Sequence, residues 1–159
     1  MKQIFLAAFL LVATYSVSFG QTASIVGKWK ISKIVTPDIT IDIEHPEVTR
    51  QALAKQIEAE SGQKPDSAMM NMVMVGLLSS LDNAFFDFGS DGILKMNGGQ
   101  GGNEKTESAS YEVSYKDGII TSQSKQKGKQ EMKFRFVNDL LVLETNDQGK
   151  KAEITLKKA

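Results

Sequence analysis

From Ala84 to the end of the chain, apolar and polar residues alternate in short runs separated by turn residues. Phe86 and Phe88 flank Asp87. Tyr111, Val113 and Tyr115 alternate with Glu112 and Ser114, and Met132, Phe134 and Phe136 with Lys133 and Arg135. Leu141 and Leu143 lead to Thr145, and Ala152, Ile154 and Leu156 alternate with Glu153, Thr155 and Lys157. A period of two puts all the apolar side chains of a strand on one face, so each run reads as a half-buried strand. Asp91-Gly92, Asp117-Gly118, Lys127-Gly128-Lys129, Asn138-Asp139 and Asp147-Gln148-Gly149 stand between the runs. Such residues tolerate the positive φ of tight hairpins. Ile25 to Val35 and Ile39 to Ile43 alternate in the same way, with Thr36-Pro37-Asp38 between them. The total is about nine short strands at roughly 8–12-residue spacing, the mark of an antiparallel meander. A meander leaves two bare edges unless it closes on itself. The predicted fold is therefore mainly β: an antiparallel up-and-down barrel of about eight strands, filled by side chains or holding one small ligand.

The segment from about 46 to 83 has another character and predicts a helical pair inserted between the early strands. Pro46 suits a first helical turn, and Glu47 is favourable beside the helix dipole. Val48, Ala52, Leu53, Ile57 and Ala59 form a modest apolar stripe among Arg50, Lys55, Glu58 and Glu60, and Gly62 can close the helix. Pro65-Asp66 opens a second helix carrying Met69, Met70, Met72, Val73, Met74, Val75, Leu77, Leu78 and Leu81. Apolar on nearly every side, it is expected to be buried or to cover something apolar.

The N-terminus reads as an address. Lys2 precedes an unbroken run of ten apolar residues, Ile4 to Ala13, and Ser18-Phe19-Gly20 supplies the small residues of a cleavage site before Gln21. The run is short of the about 20 residues that cross a bilayer. Residues 1–20 are expected to be a signal peptide, with residues 21–159 an exported domain, soluble in the periplasm or outside the cell.

Composition narrows the chemistry. The chain of 159 residues has no cysteine and one histidine, His45. Thiolate metal sites, cysteine nucleophiles and three-histidine zinc sites are excluded. Nineteen basic residues balance nineteen acidic ones, which argues against a nucleic-acid binder. His45 before Pro46 reads as an exposed boundary residue, and no nucleophile can be placed beside it, so the protein is expected not to be an enzyme. The glycine-rich stretch Asn97 to Asn103 lacks the strand-to-helix setting of a phosphate loop and reads as a hairpin connection. Lys125, Lys127, Lys129 and Lys133 read as a solvated hairpin around Glu131. Met70/Met74 and Met69/Met72 have helical spacing that would suit a soft metal, but nothing supplies the remaining ligands, and no metal or cofactor is expected.

Two stretches carry a family resemblance. Val26-Gly27-Lys28-Trp29-Lys30 resembles the Gly-x-Trp opening of lipocalin-like domains. Phe86-Asp87-Phe88-Gly89-Ser90-Asp91-Gly92 resembles the Phe-x-Phe-x-x-Asp-Gly hairpin of small secreted lipocalin-like proteins of Bacteroidetes-type bacteria. With the meander that follows, the likeness extends over most of residues 21–159, and some such families carry a similar helical insertion. The resemblance implies a calycin-type barrel in which Gly27 lets the chain bend at the barrel floor and Trp29 plugs it. It also implies a late basic residue packed on the tryptophan. Alternation puts Arg135 on the wrong face for this and leaves Lys157 as the candidate.

The functional expectation is a binding protein for a hydrophobic or amphipathic small molecule, held inside the barrel beneath the methionine-rich helix. The candidate lining is Met70, Met74, Leu77 and Leu78 on the helix with Phe86, Phe88, Tyr111, Val113, Tyr115, Met132, Phe134 and Phe136 on the strands. A buried tyrosine hydroxyl needs a partner and could orient a ligand. The alternative is a solid barrel whose surface, above all the helix from Ser67 to Leu81, meets a partner protein, an envelope component or a second copy of the chain.

Overall fold

The computed structural model describes residues 24–98, 106–147 and 149–159. The signal-peptide reading of residues 1–20 and most of the glycine-rich connection lie outside them. Nine strands and two helices follow in the order β1 (Gly27–Val35), β2 (Thr40–Asp42), α1 (Pro46–Ser61), α2 (Ser67–Asp82), β3 (Phe85–Phe88), β4 (Ile93–Asn97), β5 (Glu107–Ser114), β6 (Ile119–Ser124), β7 (Gly128–Val137), β8 (Leu140–Asp147) and β9 (Lys150–Lys158). Every strand pairs antiparallel with its neighbours, and β1 also pairs with β9. That last ladder closes β1 and β3 to β9 into an eight-stranded up-and-down barrel, with the helices between β2 and β3. Closure satisfies the backbone groups that an open meander would leave bare.

The ninth strand is explained by the length of β1. Its first half, Gly27 to Lys30, pairs with β3, and its second half, Lys33 to Val35, pairs with β2. On its other side a bulge at Ser32 shifts the register with β9, so that Ile31 faces Leu156 and Ile34 faces Ile154. The extra residue keeps both isoleucines beside inward-facing partners. The Ser32 hydroxyl donates to the Thr155 carbonyl at 3.2 Å.

Cross-strand register builds the interior. Phe86 stands opposite Met96, Phe88 opposite Leu94, and Leu94 opposite Ala109. Val113, Ile120 and Met132 share a row, as do Phe134, Leu143 and Ile154, and Phe136, Leu141 and Leu156. Ile25, Phe88, Leu94, Ile120, Leu141, Leu143 and Leu156 are wholly removed from solvent. The hairpins bend where the sequence places them: Gly92, Gly118, Gly128, Gly149 and Asn138 all have positive φ. At Gly118 a side chain would also press on the Phe134 carbonyl oxygen, 3.0 Å from the position of a Cβ.

Helix α1 starts at Pro46 and ends at Gly62, which takes the left-handed conformation. Its buried anchor is polar: Thr49, with no exposed surface. The Thr49 hydroxyl accepts from the Asp42 N–H at 2.7 Å and donates to the Asp42 carbonyl at 2.8 Å, clipping α1 to the end of β2. Thr49→Val keeps the shape and leaves both backbone groups of Asp42 unpartnered. It should cost about 1–3 kcal/mol in urea unfolding, and Thr49→Ser should recover most of that.

Helix α2 begins at Asp66, whose carboxylate caps the Met69 N–H at 2.7 Å. Of the two expectations for it, burial or cover of something apolar, burial on every side is corrected. Met70, Met74 and Leu81 are buried, whereas Met72 is 79% exposed and Val75 66%. The helix lies outside the barrel's buried cluster, and packing from one side covers only one face of a helix.

Candidate functional site

A train of aromatic rings runs from Trp29 to Tyr115. The indole N–H of Trp29 donates to the Ile25 carbonyl at 2.7 Å, and its ring lies 6.3 Å from Phe136. Phe136 meets Phe134 edge-on at 5.9 Å, and Phe134 meets Tyr115 at 5.7 Å. The basic residue over the tryptophan is Lys158, its ammonium 5.1 Å from the ring, and not Lys157. Lys157 points elsewhere and pairs with Glu44 at 3.1 Å. Lys158 also donates to the Val26 carbonyl at 3.2 Å, and a side chain at Gly27 would press against its stem.

The expected lining residues separate into three groups. Phe88 and Phe134 belong to the buried cluster, and Phe86, Tyr111, Val113, Met132 and Phe136 pack against it half-buried. Tyr115 follows the end of β5 and is 51% exposed. Met70 and Met74 are buried in α2, and Leu77 and Leu78 are half-buried there, away from the barrel cluster. Both tyrosine hydroxyls are engaged: Tyr111 donates to the Gly89 carbonyl at 2.8 Å, and Tyr115 accepts from the Ile25 N–H at 3.3 Å. Burial pushes the Tyr111 phenol above its ordinary range, helped by Tyr115, Asp91 and Asp87.

An open cleft lies elsewhere. Its volume is about 640 Å³, and it opens where the β7–β8 ladder ends at the Lys133–Glu144 pair. Before that point β7 pairs only with β6, and beyond it β8 pairs only with β9. The lining takes one row across the outer face, Ile119, Lys133, Glu144, Glu153 and Val35. It adds Met132, Thr145 and Ala152, which alternate with that row, and Pro37 from the β1–β2 link. Met132 is thus the one expected lining residue that the cleft shares, and no residue of α2 lines it. Period two marks this row as a solvated polar face; only Ile119 and Val35, apolar at outward positions, signal anything more. A second cleft of about 550 Å³ runs along Thr106 to Ser110 and Gln123 to Gln126 and is mostly lined by hydroxyls and amides.

His45 is exposed at the start of α1, and its Nδ1 lies 3.2 Å from Asp42 Oδ1. Burial raises the Asp42 carboxyl, but hydrogen bonds from the His45 backbone N–H and ring, with Lys33 nearby, outweigh it and hold the group below its ordinary range. A carboxyl with a lowered folded value stabilises the fold above its unfolded value of about 3.9 and loses that contribution as pH falls through the folded value. Asp42→Asn should therefore lower the urea midpoint at neutral pH by about 0.5–1.5 kcal/mol equivalent, and the gap to the parent should close in acid.

Among the described residues no helix is long and apolar enough to cross a membrane. No protein-family model and no curated protein matches the sequence. Among solved structures, the chain is similar to the crystal structure of a DUF4847 family protein from Bacteroides vulgatus, with a TM-score of 0.53 and 13% identity. The superposition covers 84% of this chain and 92% of that one, so the two share the barrel fold.

Proposed function

We propose that the protein is a non-enzymatic carrier, exported by its N-terminal segment, that holds a small apolar or amphipathic molecule against the barrel. The observation that carries the reading is Met132: it packs against the barrel cluster and also lines the cleft of about 640 Å³. That volume is in the range of small-molecule sites, which are concave and mostly apolar with a few polar groups. Ile119, Val35, Pro37 and Ala152 supply apolar surface, and the charged side chains stand beside them. Methionine is unbranched and polarizable and adapts to an irregular ligand. Phe86, Tyr111, Val113 and Phe136 pack half-buried against the same cluster as Met132.

Titration with an anilinonaphthalene sulfonate dye, and mass spectrometry of an organic extract of the purified protein, test the reading. Saturable dye binding that weakens at least about tenfold in Ile119→Gln is expected, since a neutral amide replaces apolar contact surface. No dye uptake together with no extracted ligand would reject it. A second reading draws on the exposed Met69, Met72 and Val75 of α2, which would serve as a contact for another protein or copy. A molecular mass that rises with concentration, and stays monomeric in Met72→Lys, would favour that reading.

A further inference from the structure

The charges around the β7–β8 cleft are unequally employed, and this selects a ligand class within the carrier reading, on which the inference rests. Three carboxylates line the cleft, Glu131, Glu144 and Glu153, and each is held by a cation. Glu131 pairs with Lys129 at 3.4 Å. Arg135 holds Glu144 through one guanidinium nitrogen and Glu153 through the other, the latter at 2.6 Å. Lys133 and Lys151 also line the cleft, and neither has an ion-pair partner among the described residues. Glu144 stands directly across the ladder from Lys133, yet its carboxylate is taken by Arg135. The neighbouring Lys150 is paired with Asp38. The apolar wall of Ile119, Val35 and Met132 is therefore bordered by two uncommitted ammonium groups and by carboxylates that already have a cationic partner, one guanidinium serving both Glu144 and Glu153.

We propose that the cleft takes an amphipathic anion, with its alkyl part on Ile119, Val35 and Met132 and its carboxylate, sulfate or phosphate head between Lys133 and Lys151. An ammonium–anion hydrogen bond is charge-assisted and roughly twice as strong as a neutral one. A cationic head would have to compete with Arg135 and Lys129 for the carboxylates. A neutral head would leave both lysines unused.

Isothermal titration of the full chain with decanoate, decyl sulfate, decanol and decyltrimethylammonium tests this. At least one of the two anions should bind about tenfold more tightly than decanol and than the cation, with the preference falling as salt rises. The paired substitution Lys133→Gln with Lys151→Gln should reduce that preference to within about threefold, whereas Lys116→Gln, on the exposed turn after β5, should preserve it. The two anion arms separate a carboxylate head from a sulfate-like one. If decanol or the cation binds as tightly as the better-bound anion, or the paired substitution keeps the preference, the anion assignment is wrong and the carrier reading stands. If none of the four amphiphiles binds, the carrier reading itself is rejected.

Discussion

Phe88→Ala should lower the free energy of unfolding by about 3–5 kcal/mol, the range for removing a fully buried phenylalanine from a core that cannot collapse around the gap. Phe88 has no exposed surface. It meets Tyr111 edge-on at 5.3 Å and stacks beside Phe86 at 6.5 Å. Its strand ladders with both β1 and β4, so neither backbone can move in to fill the space. The sole tryptophan, Trp29, is 2% exposed and reports unfolding by a red shift of its emission. Phe85→Ala, three positions earlier, is the control. That ring is half-buried on the opposite face beneath Lys28 at 4.1 Å, and its loss should cost about 1 kcal/mol. Equal losses for the two substitutions would contradict the assignment of faces on β3.

Trp29→Ala should cost about 3–5 kcal/mol as well, through a different arrangement. The indole packs beside Phe136 and satisfies the Ile25 carbonyl. Trp29→Phe keeps most of the packing and leaves that carbonyl unpartnered, so about 1–2 kcal/mol of the loss should remain. Lys158→Gln removes the cation over the ring at an exposed position and should cost about 0.5–1 kcal/mol. Urea midpoints followed by far-ultraviolet circular dichroism, which does not need the tryptophan, order the three variants. Should Trp29→Phe fall as far as Trp29→Ala, packing around the indole would contribute little and the hydrogen bond would dominate.

Much of the barrel is legible in the amino-acid order alone. The alternation of Met132, Phe134 and Phe136 with Lys133 and Arg135 is a direct image of the pleat, because successive side chains must point to opposite faces. The glycines of the hairpins were legible for a similar local reason, since positive φ is costly for other residues. β6 was the strand most easily missed. Ile119, Ile120, Thr121 and Ser122 do not alternate, yet Ile120 is wholly buried between Val113 and Met132. Neighbouring strands, not its own pattern, decide its faces. The bulge at Ser32 and the Thr49 clip were equally silent, one being a register shift and the other a hydroxyl matched to a distant backbone.

The candidate site was the least legible part. Met132 is legible from its alternation, but Lys133, Glu144, Lys151 and Glu153 read only as solvent-facing charge. They become a cleft because the β7–β8 ladder stops at Lys133 and Glu144. Which lysines remain uncommitted follows from the reach of Arg135 across three strands to Glu144 and Glu153. The amino-acid order by itself determined the elements, their turns and the greasy side of most strands, because these obey local backbone geometry and short periods. The bulged register of β1 on β9, the exposed back of α2, the lysine over Trp29 and the cleft were decided only in three dimensions, where residues far apart in the chain compete for the same neighbours.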